Sequence, residues 1–288
     1  MNENNAAQVD YWNGRAGEKW ATMQVALDQM LAPLTIELKR RAGTVAGKRV
    51  LDIGCGTGET CAIWQQDGAH VTGLDVSAPM LAVAAERTHK KATLVQADAA
   101  SWKSDEPFDL AVSRFGLMFF TDVDAAFSCI ATNVRPGGRL LFACWRAMQE
   151  NEWVAKPMSI LRDLLPEEAR HESDQTDASA VAAYAPGPFA LADQQRLMEV
   201  LARAGFRDAS IKPFAFPVYL AAEGGTAAAA RFLMQIGPTA AALAKASKPD
   251  RAAATERLAD ALVAREQDGC VTLGGAAWLV EAVRASTG

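Results

Sequence analysis

The segment Val50 to Thr60, VLDIGCGTGET, decides the fold because it places three glycines at alternate positions directly after a short apolar run. The residues before Gly54 suit a buried strand, whereas the glycines cannot continue it and the residues after Gly58 suit a helix. Glycine allows positive φ and lets a ligand approach the backbone, and a helix that begins here directs unpaired N–H groups at that ligand. The segment therefore predicts a strand, a tight turn and a helix that cradle a polar or anionic group.

The spacing of the glycines narrows the class of ligand. A dinucleotide-binding fingerprint is GxGxxG, whereas Gly54, Gly56 and Gly58 form GxGxG shortly after Asp52. A second apolar stretch ends in Asp75, whose carboxylate can accept hydrogen bonds from both hydroxyls of a ribose. The pattern predicts a ribose site without a diphosphate, which disfavours a nicotinamide oxidoreductase.

These residues resemble the first motifs of the class I S-adenosylmethionine-dependent methyltransferases, in which an acidic residue precedes GxGxG. The resemblance continues in order from about Gly47 to Trp145, roughly a third of the chain, and is nearest to the ubiquinone/menaquinone-biosynthesis-like small-molecule methyltransferases. Four further segments carry it: LDVSAPML (74–81), QADAASW (96–102), FDLAVSRFGLMFF (108–120) and NVRPGGRLLFACW (133–145).

The resemblance implies S-adenosyl-L-methionine as the cofactor and S-adenosyl-L-homocysteine as the product. It also implies which residues surround the cofactor: Asp52, Gly54 and Gly56 at the methionine moiety, Asp75 at the ribose, Met80 against adenine, Asp98 and Ala99 at the adenine edge, and Ser113 and Arg114 at the reacting end. The residues alone leave simpler alternatives open. Gly58 would then only permit helix packing, Met80 would belong to the core, and Asp98 would cap a turn.

Apolar and aromatic residues are the candidates for contact with the acceptor. Ligands of open α/β sheets bind beyond the carboxyl ends of the strands, and aromatic rings offer large apolar faces. The predicted acceptor residues are Tyr11, Trp12, Phe115, Met118 and Phe119, with Trp20 as a further wall candidate. Ordinary core packing is the alternative for each of them.

No catalytic residue is assigned from the sequence. A general base is needed only for a poorly ionised acceptor, and histidine is the usual candidate. His70 falls in a predicted strand, His89 follows a predicted helix, and His171 lies in a charged segment where a solvated loop residue is the simpler interpretation.

Alternation of apolar strands with helical segments predicts the fold class. We expect an α/β, doubly wound, Rossmann-like sheet of seven strands, mainly parallel with the last strand antiparallel, plus N-terminal helices and helical insertions. Propensity alone equally permits a helix for the last strand. The predicted strands are 50–53, 70–74, 93–96, 110–113, 139–145, 210–220 and 275–282.

The distribution of strand and helix signals along the chain predicts its domain organisation. Residues 1–46 form an N-terminal helical lid, and residues 47–145 form the cofactor-binding core. Residues 146–190 form a lid insertion, and residues 191–288 complete the core, with a helical insertion at 225–266.

Composition limits the function classes. The 288 residues are 50% hydrophobic and 22% charged with a net charge of -5, which is typical of a globular protein and gives no footprint for nucleic acid. Neither a signal segment nor an apolar run long enough to span a membrane occurs, and five cysteines without a CxxC pair predict neither disulfides nor a metal site. We expect a cytoplasmic protein with a small-molecule acceptor and no nucleic-acid partner.

The predicted function is transfer of a methyl group to a small, apolar or aromatic acceptor by in-line displacement, promoted by proximity and desolvation. Ser113-Arg114-Phe115-Gly116 stands where nucleic-acid amine methyltransferases carry Asp/Asn-Pro-Pro-aromatic, which disfavours methylation of bases. The alternative is a non-catalytic S-adenosylmethionine-binding interaction protein. The acceptor atom and the oligomeric state are left open.

Overall fold

One sheet organises the part of the chain that the structure describes, which in this computed structural model comprises residues 5–165, 185–244 and 246–286. The strands are β1 (Arg49–Ile53), β2 (His70–Asp75), β3 (Thr93–Gln96), β4 (Phe108–Arg114), β5 (Val134–Trp145), β6 (Phe206–Ala221), β7 (Glu266–Gln267) and β8 (Cys270–Arg284).

The α-helices precede, alternate with and follow these strands. They are α1 (Ala6–Asn13), α2 (Arg15–Thr22), α3 (Gln24–Ala42), α4 (Glu59–Gln66), α5 (Ala78–Arg87), α6 (Val123–Thr132), α7 (Glu152–Ile160), α8 (Gln194–Arg203), α9 (Gly225–Leu233), α10 (Gly237–Ala242) and α11 (Lys248–Leu262).

The strand order is β3-β2-β1-β4-β5-β8-β6, and the two-residue β7 pairs with β8. Strands β1 to β5 pair in parallel, whereas β8 is antiparallel to both β5 and β6. The predicted doubly wound α/β sheet with an antiparallel last strand is therefore confirmed. The short β7 brings the total from the predicted seven strands to eight.

The order of the strands reverses between β1 and β4, and this reversal positions the site. Crossovers through α4 and α5 run from β1 towards β3, while the crossover through α6 runs the other way to β5. Because such crossovers are right-handed, the two sets of helices cover opposite faces of the sheet. The loops after β1 and β4 then part and leave a crevice at the carboxyl edge, where ligands of such folds bind.

Helix α3 belongs to the core along much of its length, although it lies in the predicted N-terminal lid. Its buried residues recur at helical spacing, and it packs against β5 and β6. The fully buried ones include Leu34 and Leu38. The lid boundary at residue 46 stays a prediction.

The last strand forms because its residues pair on both sides. Cys144 of β5 lies opposite Trp278, and Pro213 of β6 lies opposite the same tryptophan. On the N-terminal side of Ala277, β8 leaves β5 and continues with β6 as a two-stranded ribbon down to Val271, where the short β7 also pairs with β8. Helices α9 to α11 connect the two strands of this ribbon, within the predicted helical insertion.

Two further points concern the predicted lid insertion and the length of the helices. The predicted lid insertion contains α7, but its residues 166–184, including His171, lie outside the described residues. None of the helices in the described ranges is both long and apolar enough to cross a membrane.

Candidate active site

The glycine-rich loop after β1 is held against β2 and left bare on its other side. The N–H of Gly54 donates to the Leu74 carbonyl oxygen at 2.7 Å. Gly54 has φ +66°, and a Cβ there would lie 2.7 Å from Cα of Gly116. Only glycine at both positions lets the loops after β1 and β4 touch, so this contact closes the base of the crevice.

Gly58 has a packing role. A Cβ at Gly58 would lie 2.7 Å from Cβ of Ala84 on α5, so its missing side chain lets α4 begin close to α5. Gly56 differs, because its neighbour is the sulfur of Met80, at 3.8 Å from the position of a Cβ. Gly56 and Met80 both line the cavity described below.

Asp75 clamps the glycine loop from the end of β2. One carboxylate oxygen accepts from the Gly56 N–H at 2.8 Å, and the other accepts from the Ser77 N–H at 2.9 Å. Burial raises the pKa of Asp75, while these backbone N–H groups oppose the rise. Each carboxylate oxygen keeps acceptor capacity, which a diol could use.

Asp98 carries an acceptor atom that is not used within the described residues. Its Oδ1 accepts from the Ala100 N–H at 2.9 Å, but Oδ2 is buried and has no hydrogen-bond partner there. Asp98 is 3% exposed, and Ala99 beside it also lines the cavity. Because buried polar atoms are almost always paired, the free Oδ2 is suited to a ligand that donates a hydrogen bond.

Arg114 reaches the cavity from the end of β4 inside a chain of ion pairs. It bonds to Glu59 at the start of α4, donates to the Thr35 hydroxyl at 2.7 Å and lies 3.8 Å from Asp28. Asp28 in turn pairs with Arg87 at 2.6 Å. Burial raises the pKa of Glu59, and the charge of Arg114 opposes the rise. The chain ties α3 to α4 and α5.

One cavity joins the glycine loop to an aromatic wall, with about 1150 Å³ of empty space including its open mouth. Phe115 and Trp145 stack with ring centroids 4.1 Å apart, and Trp153 lies 5.2 Å from Trp145. At the other side of the mouth, Trp12 contacts Trp20 and Phe119 edge to face. The cavity can therefore hold an extended polar ligand at one end and an apolar one at the other.

Asn13 fixes helix α1, whose Gln8 and Trp12 line the cavity. Its amide donates to the Val76 carbonyl oxygen at 2.8 Å and accepts from the Ala78 N–H at 3.0 Å. Because Val76 and Ala78 lie within three residues of Asp75, the helix is attached to the segment that clamps the glycine loop.

Most of the sequence-predicted residues lie on the wall of this cavity. They are Gly54, Gly56, Asp75, Met80, Asp98, Ala99, Arg114, Trp12, Phe115, Met118 and Phe119. Their individual roles stay predictions.

Three predicted residues lie elsewhere. Tyr11 is 59% exposed, because it faces solvent on α1 while the adjacent Trp12 faces the cavity. The Ser113 hydroxyl is buried, donates to the Ile53 carbonyl oxygen at 2.7 Å and accepts from the Gly116 N–H, so it braces the loops behind the wall.

Asp52 also lies behind the wall and faces α4. The Cys61 thiol donates to it at 3.4 Å, and Thr60 provides a further hydrogen bond. Burial raises the pKa of Asp52 to about 6 against these bonds. Asp52 therefore supports the turn from below, since it lies inside β1 and its neighbours are on α4.

Sequence reasoning missed much of the far wall. Trp145 ends a predicted strand, Trp153 begins α7, and Ile236, Gly237 and Pro238 precede or open α10. Nothing in their local pattern links these segments, because only the folded chain brings them together. Among the described residues, no group of three or more His, Cys, Asp or Glu side chains is arranged to hold a metal ion.

The sheet and its cavity define a doubly wound α/β protein with a ligand site at the switch point of strand order. A family model described as a methyltransferase domain matches residues 51–142. Demethylmenaquinone methyltransferase of Corynebacterium kroppenstedtii is 30% identical over 171 residues, which cover 59% of this chain and 72% of that protein. The chain belongs to the class I S-adenosylmethionine-dependent methyltransferase family.

Two further comparisons show the reach of this likeness. Malonyl-[acyl-carrier protein] O-methyltransferase of Erwinia billingiae is 36% identical over 120 residues, 41% of this chain and 47% of that protein. The chain spans about half the length of that protein and of other O-methyltransferases that it matches at a similar level. Magnesium protoporphyrin IX methyltransferase of Synechocystis, solved with S-adenosylhomocysteine, shares the fold with a TM-score of 0.53 and 15% identity, covering 98% of this chain and all of that one.

Proposed function

We propose that this protein transfers a methyl group from S-adenosyl-L-methionine to a small, apolar or aromatic acceptor. One observation carries the proposal: a single cavity joins a bare glycine loop with two buried aspartates to a wall of aromatic side chains. A family that uses this cofactor, and a cavity with one polar and one apolar end, support this assignment over a site for a single ligand.

The residues at the polar end fit the cofactor. Asp75 offers acceptor atoms for the ribose hydroxyls, and the unpaired Oδ2 of Asp98 matches the exocyclic amine of adenine. Bare backbone at Gly54 and Gly56 accommodates the amino-acid end, with Arg114 nearby. Bound there, the cofactor supplies an electrophilic methyl group and a neutral leaving group.

The chain contributes alignment and exclusion of water. The aromatic wall holds an apolar acceptor beside the polar end, and residues of helices α1 to α3 line the same cavity. Holding two reactants in line can supply roughly 7 to 11 kcal/mol. Within the described wall, the only ionisable side chains are those of Asp75, Asp98 and Arg114. We therefore propose an acceptor that reacts without a histidine, lysine or tyrosine base from that wall.

A transfer assay tests the function. Purified protein is incubated with methyl-labelled S-adenosylmethionine and, separately, a quinol, a phenol, a thiol and an amine. We expect label in a ring-bearing acceptor, and loss of most of that transfer in Asp98→Ala but not in the surface variant Asp124→Ala, which removes only an exposed pair with Arg203. Binding of S-adenosylhomocysteine without transfer to any panel member or to cell-extract metabolites would refute the enzyme assignment.

A second function has one observation in its favour, the lack of a histidine, lysine or tyrosine among the described wall residues. The protein would then be a non-catalytic S-adenosylmethionine-binding interaction protein. A stoichiometric partner recovered only in the presence of the cofactor, together with no methyl transfer, would favour this alternative.

A further inference from the structure

Two residues of the cavity wall carry a buried side-chain atom that lacks a hydrogen-bond partner within the described parts of the chain. They are Asp98, through Oδ2, and Trp153, through the indole Nε1. The first atom is an acceptor at the polar end, and the second is a donor on the aromatic wall. An unsatisfied buried donor costs free energy, so Trp153 calls for the same explanation as Asp98.

Other tryptophans show that this donor is distinctive. Trp278 donates its indole N–H to the Ala192 carbonyl oxygen at 2.8 Å. The Trp64 indole is also unpaired within the described residues, and both tryptophans belong to the buried core, but Trp153 lines the cavity whereas Trp64 does not. Trp153 thus combines an unpaired donor with a place in the cavity.

The Trp153 ring is fixed by its neighbours. A Cβ at Gly237, where φ is +79°, would lie 2.8 Å from Cζ3 of Trp153 and 3.1 Å from Cη2, so the glycine makes room for the six-membered ring. Trp145 lies against it at 5.2 Å with an interplanar angle of 46°. The five-membered ring, which carries Nε1, is at the opposite end of the indole from the Gly237 contact. Packing therefore sets the position of the N–H before any ligand arrives.

The surroundings of Trp153 define the group that would pair with it. The charged side chains of the described wall, Asp75, Asp98 and Arg114, lie at or just after the ends of β2, β3 and β4, whereas Trp153 lies on α7 beside Trp145. A charged ligand group would find only one neutral donor among aromatic rings, and that single hydrogen bond does not offset the free energy of removing the charge from water. A neutral oxygen on a planar ring does fit one N–H and stacked rings.

We infer that Trp153 determines acceptor specificity by donating its indole N–H to a neutral ring-attached oxygen of the acceptor. The wall side chains that shield Nε1 move aside when that molecule binds. This inference rests on the proposed function, because it concerns the acceptor end of the same cavity. It narrows the acceptor from an apolar or aromatic molecule to a planar ring compound with an ether, carbonyl or hydroxyl oxygen away from the methylated atom.

The test uses two probes of nearly equal shape, 1-methoxynaphthalene and 1-ethylnaphthalene, in which an oxygen replaces a methylene group. Binding of each to the protein saturated with S-adenosylhomocysteine is measured by equilibrium dialysis. We expect the methoxy probe to bind about fivefold more tightly, which is one net hydrogen bond. Trp153→Phe keeps the aromatic bulk, and we expect it to abolish the preference while leaving the affinity for the ethyl probe nearly unchanged.

Trp278→Phe is the matched control, since it removes an indole N–H outside the cavity and should keep the preference. Circular dichroism and S-adenosylhomocysteine affinity show whether each variant is folded. Equal affinity for the two probes in the wild type, a preference that survives in folded Trp153→Phe, or failure of both probes to bind would overturn the inference. Failure of S-adenosylhomocysteine itself to bind would instead overturn the proposed function.

Discussion

At the scale of single residues, the substitution Asp75→Ala tests two contacts of one carboxylate. Asp75 accepts hydrogen bonds from the Gly56 and Ser77 N–H groups and so holds the glycine loop, and in the proposed function it also offers acceptors to the cofactor ribose. We expect Asp75→Ala to weaken S-adenosylhomocysteine binding several-fold or more in calorimetry, since charge-assisted hydrogen bonds are lost. The exposed Asp124→Ala should bind as the wild type does. Unchanged affinity in Asp75→Ala would remove the assigned role.

Asp52 predicts a specific dependence of stability on pH. Its pKa is raised from 3.8 to about 6 in the folded chain, so the folded state binds more protons than the unfolded state between those values. This contribution to the free energy of unfolding is fully present below pH 4 and is lost as the pH rises through 6. At about 1.4 kcal/mol per pKa unit, the loss is about 3 kcal/mol.

Urea unfolding of the ligand-free protein between pH 4 and pH 8 measures this effect. We compare wild type with Asp52→Asn, which keeps an acceptor for Thr60 and Cys61 but does not titrate. The difference in unfolding free energy should fall with rising pH over that window and be flat above pH 7. A difference that stays constant from pH 4 to pH 6 would contradict the raised pKa.

The sequence predicts the place of a residue best where the backbone decides it, and worst where the direction of a side chain decides it. Gly54, Gly56 and Asp75 line the cavity, because a turn after a strand needs glycine and a carboxylate beside it, and their roles toward a ligand stay predictions. Tyr11 was expected in the site and lies in solvent, because neighbouring residues of a helix face different ways and the short pattern of α1 does not show which face is buried.

At the scale of elements, the N-terminal helices are attached to the site through charge. Asp28 on α3 pairs with Arg87 on α5 and lies near Arg114 at the end of β4. We expect Asp28→Asn to speed amide hydrogen exchange in residues 15–31 and to lower the free energy of unfolding by about 1 to 2 kcal/mol, because Arg87 loses a partly buried ion-pair partner, while relief of the repulsion between Asp28 and Glu59 offsets part of the loss.

Asp67→Asn provides the comparison, since it removes an exposed pair with Lys39 from the surface near the end of α4. That variant should change stability by less than about 1 kcal/mol. Equal exchange rates in wild type and Asp28→Asn would show that packing alone holds α3 in place.

The strands and helices of the core were predictable because turns, apolar runs and caps lie within a few residues of one another. The fifth strand shows the limit. The sequence predicts a strand from residue 139, whereas β5 begins at Val134 and includes Pro136, Gly137 and Gly138 as an irregularity between the pairs Phe108–Val134 and Leu110–Arg139. Pairing with β4 on both sides of the irregularity, which no local pattern records, extends the strand.

At the scale of the whole molecule, the cavity draws on widely separated parts of the chain, from Asn5 to Pro238. A ligand that binds only the folded state stabilises all of it. We expect S-adenosylhomocysteine at a hundred times its Kd to add about 2.7 kcal/mol to the free energy of unfolding. NAD at the same concentration should add nothing, because the GxGxG spacing lacks the pyrophosphate register.

Chemical unfolding in the presence of each ligand checks this expectation. In Asp98→Ala, the increase in unfolding free energy caused by the same concentration of S-adenosylhomocysteine should be smaller. If NAD stabilised the protein as much as S-adenosylhomocysteine does, the result would contradict this expectation and favour a nicotinamide-dependent oxidoreductase. No local pattern predicts the far wall, because Trp153 and Gly237 are far apart in the sequence and come into contact only in the folded chain.

The ribbon of β6 and β8 on the N-terminal side of Ala277 has a consequence for how this scaffold can be diversified. Its two strands end on either side of α9 to α11, which occupy the chain between Ala221 and Glu266 and bring Ile236, Gly237 and Pro238 to the cavity. A change in the length or sequence of this segment would alter that part of the wall and leave the glycine loop and its aspartates unchanged. If the proposed function holds, this segment is one place where the room for the acceptor can vary, whereas Phe115, Met118 and Phe119 stay next to the cofactor end.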